Sequence, residues 1–525
     1  MSPGLYKKIG VASAIMMVSV FLSRVMGLFR EMAIAFAGGA GGDVDAYQIA
    51  FVVPEILNHI AASGFLSITF IPIFSGYLAN RDEEEGWRVF SLIMTCFGTI
   101  LILFILAAVA FAPILVSAIA PGLRDPVIFS KAVRMTRIIL PAQFFFFSGG
   151  LFMAVQFAKE RFFVPALAPL LYNIGIIAGG MLLGPRIGME AFSWGVLGGA
   201  FIGNFVLQYF GAKKAGMKYK ISFDFRHPDF KKYVFLTLPL MFGLTMTFST
   251  EFFLKFFGSF MPGGSIAALN YGLRIMFILV GLFGQAVGMA AYPFMARLAA
   301  ENRLEEMNRL LNDTLRGLSA VVPFSVLAMV LRHEIVLIIF QRGRFDAAAT
   351  ELTSGILVFL LAGTFAFAAQ TVVVRGFYAM QNTLFPAVFG TMAVLVSVPL
   401  YYYGMDVMGV NGIALALSLS AFVQVFILYV LWNKRSRNVY SREVYMFFVK
   451  ICLLSAIVGV LFEWFKGKFL GGLDVTAFSG SFLMAAFLSA LFAVVFISAG
   501  YIFRIKEITD IADRLAGRLK KIRVF

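Results

Sequence analysis

The sequence predicts an all-α polytopic membrane protein of about fourteen transmembrane helices, arranged as two parallel six-helix lobes plus two extra C-terminal helices. Three observations carry that expectation. Of the 525 residues, 60% are hydrophobic and 14% charged, with a mean hydropathy of +0.89. Soluble domains run nearer 45 to 50% apolar and about 25% charged, so the solvent implied is a bilayer. Lysine and arginine gather in short loops between apolar stretches, and the chain repeats itself at a fixed offset.

A spanning helix needs roughly 20 mostly apolar residues. Hydropathy places such spans near 10–37, 46–78, 88–120, 130–158, 163–184, 190–211, 232–259, 265–296, 314–340, 350–379, 384–404, 410–432, 444–465 and 476–503. Lys7 and Lys8 precede the first of them and no small-residue cleavage site follows, so an uncleaved first helix is expected. Basic residues crowd the N-terminus, the loop Lys213 to Lys232, the segment Arg297 to Arg316, the loop Lys434 to Arg442 and the tail Arg504 to Arg523. These lie on one side of an even number of spans, which puts both termini in the cytoplasm. The glycine-rich loops Gly38 to Asp45 and Met261 to Ser265, nearly free of basic residues, then face outward.

Ile71-Pro72-Ile73-Phe74 matches Tyr292-Pro293-Phe294-Met295 at an offset of 221. Glu84, Glu85 and Arg88 fall on Glu305, Glu306 and Arg309 at that offset, and Phe157-Ala158 and Pro165 fall on Tyr378-Ala379 and Pro386. One period holds six spans, an even number, so the halves are expected to be parallel copies with a transport site between them. The domains read as 1–220 and 221–440 for the two six-helix lobes, and 441–525 for two additional helices and a basic cytoplasmic tail.

Charges within spans cost at least about 2.5 to 3.5 kcal/mol each on insertion scales and therefore mark function or pairing. The first span carries Arg24, Arg30 and Glu31; Arg24 and Glu31 share a face, and mutual pairing or snorkelling competes with an arginine-lined cavity. Pro54, Glu55, Asn58, His59 and Gly64 should kink the second span, with Glu55 and His59 spaced to satisfy one another. Glu251 and Lys255 are an expected internal ion pair. Arg274 and Arg375 have no acid nearby in sequence, and Lys131, Arg134 and Arg137 suit interface anchors. Arginine outnumbers acid within the spans. Surplus guanidinium suits phosphate or pyrophosphate through two-pronged hydrogen bonding, whereas a cation exporter calls for surplus acid. Cys96 and Cys452 sit in apolar runs as packing residues. No P-loop, HExxH or nucleophile elbow is present in the sequence, so a transporter rather than an enzyme is expected, with no cofactor and no metal.

Ser23-Arg24-Val25-Met26-Gly27-Leu28-Phe29-Arg30-Glu31 resembles the opening motif of the MurJ (MviN) family of lipid II flippases, within the multidrug/oligosaccharidyl-lipid/polysaccharide exporter superfamily. So do Gly64-Phe65-Leu66-Ser67, Asn270-Tyr271-Gly272-Leu273-Arg274, Phe340-Gln341-Arg342-Gly343-Arg344-Phe345 and Arg375-Gly376-Phe377-Tyr378-Ala379-Met380-Gln381-Asn382-Thr383. The resemblance implies an undecaprenyl-pyrophosphate-linked sugar precursor as substrate, moved to the outer leaflet of the bacterial inner membrane, with membrane lipids and cell-wall synthesis proteins as candidate partners and no nucleic acid. It implies substrate-binding roles for Arg24, Arg30, Arg274 and Asp45, and a polyprenyl-tail groove formed by helices 13 and 14. Asn58 and His59 occupy positions where the family usually has two arginines, and Glu55 one where it has asparagine; Arg375 joins the candidate set as an intramembrane cation. Another undecaprenyl-linked glycan, a cation-coupled drug exporter, a glycosyltransferase acting on lipid-linked sugars and a cell-wall scaffold are the competing readings.

Overall fold

The structure is a computed structural model and describes residues 3–58, 64–242, 245–470 and 478–502. Every regular element among them is helical. They divide by packing into two units: Met1–Ala267 with Arg342–Asp346, and Ala268–Gln341 with Ala347–Phe525.

The first unit begins with α1 (Pro3–Gly38), α2 (Gly42–Ala50) and α3 (Val52–Leu57), followed by α4 (Gly64–Ala79) and α5 (Glu83–Ala110). The second expected span is thus interrupted at Phe51, three residues before Pro54. The Asp82 carboxylate accepts from the Glu85 N–H and so caps α5, and Glu83, Glu84 and Glu85 complement the positive end of its dipole. Next come α6 (Ala112–Ile119) and α7 (Pro126–Ile139), the latter opened by Asp125 and a proline at its first position. They are followed by α8 (Ala142–Ala158), α9 (Phe163–Ile187), α10 (Glu190–Gly199), a π-helical turn Ala200–Val206 and α11 (Leu207–Lys214). Helices α12 (Pro228–Phe242) and α13 (Thr245–Gly258) complete the unit. Small residues let α9 and α10 touch backbone to backbone: a Cβ on Gly175 would sit 2.4 Å from the Gly199 Cα. The loop Arg342–Asp346 docks on the end of α1, where the Arg344 N–H donates to the Phe36 carbonyl at 2.9 Å. Gly343, at φ 62°, approaches that same carbonyl closely enough to exclude a side chain.

The helix α14 (Ser265–Val280) starts in the first unit and runs into the second from Ala268; the second unit continues with a π-helical turn Gly281–Gln285, α15 (Ala286–Ala300), α16 (Leu304–Leu318), α17 (Val321–Val330) and α18 (Arg332–Phe340). Then follow α19 (Ala347–Ala362), α20 (Thr364–Ala379), the long α21 (Leu384–Ser436), α22 (Ser441–Phe465), a π-helical turn Lys466–Leu470 and α23 (Phe478–Ile502). The last two helices pack on α17 and α18 through Val330, Leu331, Leu454, Val458, Leu488 and Phe492. Ion pairs tie the same surfaces: Arg332 grips Glu463 through both nitrogens at 3.0 and 2.8 Å, and Lys466 reaches buried Glu334 at 2.7 Å.

The 221-residue offset is written into the helix ends. Helices α7 and α8 together cover 126–158, and α19 and α20 cover 347–379, the same positions one period on. Arg81, Glu160, Gly188 and Gly216 leave their helices at positive φ, and so do Asn302, Gln381, Gly409 and Arg437, each 221 residues later. Gly188 and Gly409 share nearly the same backbone angles, φ 63° with ψ −144° and φ 58° with ψ −132°.

By length and composition nine helices among the described residues are able to cross a membrane, or ten when the pair α19 and α20, bent by 41°, is one span. The fourteen apolar stretches of the sequence are consistent with this, since several are divided into shorter helices and α21 joins two of them across Gly409. Large apolar side chains such as Leu103, Phe104, Leu182, Val460 and Leu483 are exposed, as a lipid-facing surface requires.

Candidate functional site

The first unit holds the clearest buried guanidinium. Arg30 lies on α1 with its side chain 20% exposed; Nη1 donates to Asn173 Oδ1 of α9 at 3.2 Å and Nη2 to Glu31 Oε1 at 2.7 Å. The buried Nε meets no acceptor among the described residues, so Arg30 has N–H donors left over beyond these two bonds. Asn173 is itself aimed by donation to the Pro169 carbonyl at 2.9 Å, one turn back. The face-sharing expectation linked Glu31 to Arg24. Glu31 pairs with its neighbour Arg30, and Arg24, two turns earlier, is exposed.

Asp45 does different work from an exposed anion. Its buried carboxylate accepts from the Gly264 N–H at 2.5 Å and the Ala267 N–H at 2.7 Å, capping the start of α14 from a distant part of the chain. Asn58 ends α3, its backbone N–H bonded to the Glu55 and Pro54 carbonyls and its buried Oδ1 accepting from no donor among the described residues. His59 lies outside the described residues, and with it the expected Glu55–His59 pairing. The described neighbour of Glu55 is Lys255, 3.9 Å away; Lys255 is 1% exposed and also reaches Glu251 at 2.8 Å. The internal Glu251–Lys255 pair is therefore present, enlarged by a second carboxylate.

In the second unit Arg274 is half-buried on α14. Arg375 lies on α20 with Nη1 3.3 Å from the Gln285 carbonyl, at the end of a π-helical turn, and Thr371 donates to the Gly284 carbonyl beside it at 3.0 Å. A π turn leaves carbonyls off the regular ladder, and one arginine and one threonine four residues apart collect two of them. Gly288 faces the Arg375 guanidinium, whose Nη1 lies 2.4 Å from where a Cβ would stand and would have to shift for a side chain there. The charged residues at the start of the fourth expected span are paired: Lys131 with Asp43 at 2.6 Å, Arg134 with Glu190 at 3.4 Å, and Arg137 with the Val109 carbonyl at 3.1 Å. Cys96 and Cys452 are free thiols. The second unit also contains an apolar groove of about 130 Å³, walled by Phe365, Val373, Phe422, Phe426, Tyr445 and Phe448 of α20, α21 and α22.

Residues 33–503 match the family model described as Lipid II flippase MurJ. The chain belongs to the MurJ family. Among its MurJ-family relatives are the lipid II flippase MurJ of Burkholderia cenocepacia, 27% identical over 86% of this chain and 89% of that one, and a probable lipid II flippase MurJ of Borreliella burgdorferi, 25% identical over 92% and 95%. A solved lipid II flippase MurJ in an inward closed conformation shares the fold at a TM-score of 0.74, with 23% identity over 93% of this chain and 99% of that one. An inward-facing multidrug resistance MATE family transporter of the MOP superfamily aligns at 0.64, with 13% identity over 78% of this chain and 94% of that one. MurJ membership with apolar helices in series makes this a multi-pass protein of the bacterial inner membrane. Asn173 was missed at the level of sequence. Its signal was available: a lone amide within the apolar run Phe163 to Leu183.

Proposed function

We propose that this chain is a transporter that flips lipid II, the lipid-linked peptidoglycan precursor, from the cytoplasmic to the outer leaflet by alternating access, for cell-wall synthesis. The observation that carries the reading is the family match across residues 33–503. Arg24, Arg30 and Arg274 are the proposed partners of the pyrophosphate, since guanidinium presents donors in the geometry that phosphate accepts. Arg30 supports this because its donors are held in place by Asn173 and Glu31 yet not exhausted. Asp45 is proposed to contribute through the α14 terminus that it holds, and Arg375 through the π turn that it closes. Asn58 and His59 are proposed to contact the sugar side of the headgroup. The apolar groove walled by α20, α21 and α22 suits an isoprenoid tail. Both termini are proposed to be cytoplasmic, the two 221-residue repeats to form the lobes 1–220 and 221–440, and cell-wall synthesis proteins to be the protein partners.

Complementation of a strain depleted of its own lipid II flippase tests the reading, using the chain and its Arg24→Ala, Arg30→Ala and Arg274→Ala variants at matched membrane levels. Rescue by the parent chain and none by the variants is expected. A second reading, export of amphiphilic cations, takes its support from the MATE fold likeness. It requires drug resistance that survives loss of the arginines. Failure of a well-expressed parent chain to rescue would point to another undecaprenyl-linked glycan and to Asn58 and His59.

A further inference from the structure

The segment 217–227 between α11 and α12 has no helix, yet it is tied along α5. The Lys220 N–H donates to Ser91 Oγ at 3.1 Å, the Ser222 N–H to Thr95 Oγ1 at 3.4 Å, and His227 Nε2 meets Glu85 Oε1 at 3.0 Å. Between these ties the apolar residues Ile221, Phe223 and Phe225 are 74%, 53% and 54% exposed, and the chain turns there, the Phe225 N–H donating to the Phe223 carbonyl at 3.2 Å. Around them, residues 213–232 carry seven lysines and arginines against two aspartates. An apolar stripe ringed by cations is poorly suited to water and well suited to an anionic lipid surface.

Depth agrees with this. Helix α5 has 28 residues, about 42 Å, against a hydrocarbon core of about 30 Å, so its charged first turns extend beyond the core. Ser91 and Thr95, where the strap is tied, stand beside the first long apolar stretch of α5. A segment without helix cannot go deeper, because its unpaired backbone groups need the polar headgroup layer.

We infer that segment 217–227 is an interfacial anchor: Ile221, Phe223 and Phe225 seat among the outer carbons of the lipid chains, and Lys218, Lys220 and Arg226 hold the phosphates of anionic phospholipids. The anchor does not depend on what the protein transports.

The test uses the full chain in vesicles of phosphatidylcholine, with or without phosphatidylglycerol. Single cysteines at Phe223→Cys and Ile221→Cys, in a Cys96→Ser, Cys452→Ala background, carry an environment-sensitive fluorophore; Glu160→Cys, on an exposed turn, is the reference. The expected result is iodide quenching about threefold weaker at 221 and 223 than at 160, quenching by lipids spin-labelled near the headgroup, and a stronger shield when phosphatidylglycerol is present. The Lys218→Gln, Lys220→Gln, Arg226→Gln triple variant should abolish the phosphatidylglycerol dependence while thermal unfolding stays unchanged. Labels as open to iodide as the reference overturn the anchor, and so does shielding indifferent both to phosphatidylglycerol and to the triple variant.

Discussion

Arg30 separates charge from geometry. Its two hydrogen bonds hold a planar fork in one orientation, and a lysine at that position keeps the charge but not the fork. Arg30→Ala should lower outer-leaflet delivery of labelled lipid II by more than about tenfold, the equivalent of one charge-assisted hydrogen bond of roughly 1.5 to 3 kcal/mol. Arg30→Lys should recover only part of the loss, and Asn173→Ala, which frees the fork without removing it, should fall between. Equal rates for Arg30→Lys and the parent would reduce the role of Arg30 to bulk charge. Asp45 makes a different prediction, because its partners are backbone N–H groups. Asp45→Ala leaves two buried donors unsatisfied and should destabilise the detergent-solubilised protein by about 2 kcal/mol or more in thermal unfolding, with Asp45→Asn closer to the parent. A drop in transport with unfolding unchanged would instead place Asp45 on the substrate.

At the scale of helices, the clearest regularity is in how they end. Gly188 and Gly409 occupy a backbone region that is costly for any residue with a Cβ, and no neighbouring atom lies within 4 Å of a Cβ built on Gly188. Gly188→Ala therefore isolates backbone strain and should cost about 1 to 3 kcal/mol in thermal unfolding, while Gly184→Ala, equally uncrowded and on ordinary helical backbone, should be neutral or stabilising. Similar stability for both variants would rule out strain as the reason for glycine there. The repeat was legible from a few matched side chains, because Pro72 and Pro293 or Glu84 and Glu305 keep their spacing. Its deeper signature was not, since half of the eight left-handed ends fall on Arg81, Glu160, Gln381 and Arg437, residues that do not advertise positive φ. Hydropathy likewise found the apolar stretches but not their breaks at Phe51, Phe111 or Gly363, because an apolar residue at a kink counts the same as one in a straight helix. The candidate site was legible as a set of intramembrane cations. Helical spacing put Arg24 and Glu31 on one face, but it did not show that the flexible Arg30 side chain folds onto its neighbour Glu31, nor that the partner aiming it comes from 143 residues away.

For the molecule as a whole, direction of transport follows from orientation, and orientation rests on where the lysines and arginines are. Counting cations rather than net charge matters here. On the side assigned to the cytoplasm, Arg297 and Arg303 both pair with Glu301, and hydrogen bonds from these two guanidiniums hold the Glu301 carboxyl below the usual carboxylate range. Net charge would understate that side, but acids contribute little to topology, so the basic loops are still expected to lie in the cytoplasm. Two exposed residues give the test: Arg124, between the third and fourth expected spans, should face outward, and Glu160, between the fourth and fifth, inward. With Cys96 and Cys452 replaced, Arg124→Cys should react with a membrane-impermeant maleimide in cells whose outer barrier alone is opened, and Glu160→Cys only after lysis. Reaction of Glu160→Cys before lysis, with Arg124→Cys protected, would invert the chain. The arginines proposed to bind the headgroup would keep their chemistry, but the anionic leaflet matched to segment 217–227 would then lie on the wrong side, so this labelling pattern bears on substrate direction and on the lipid anchor together.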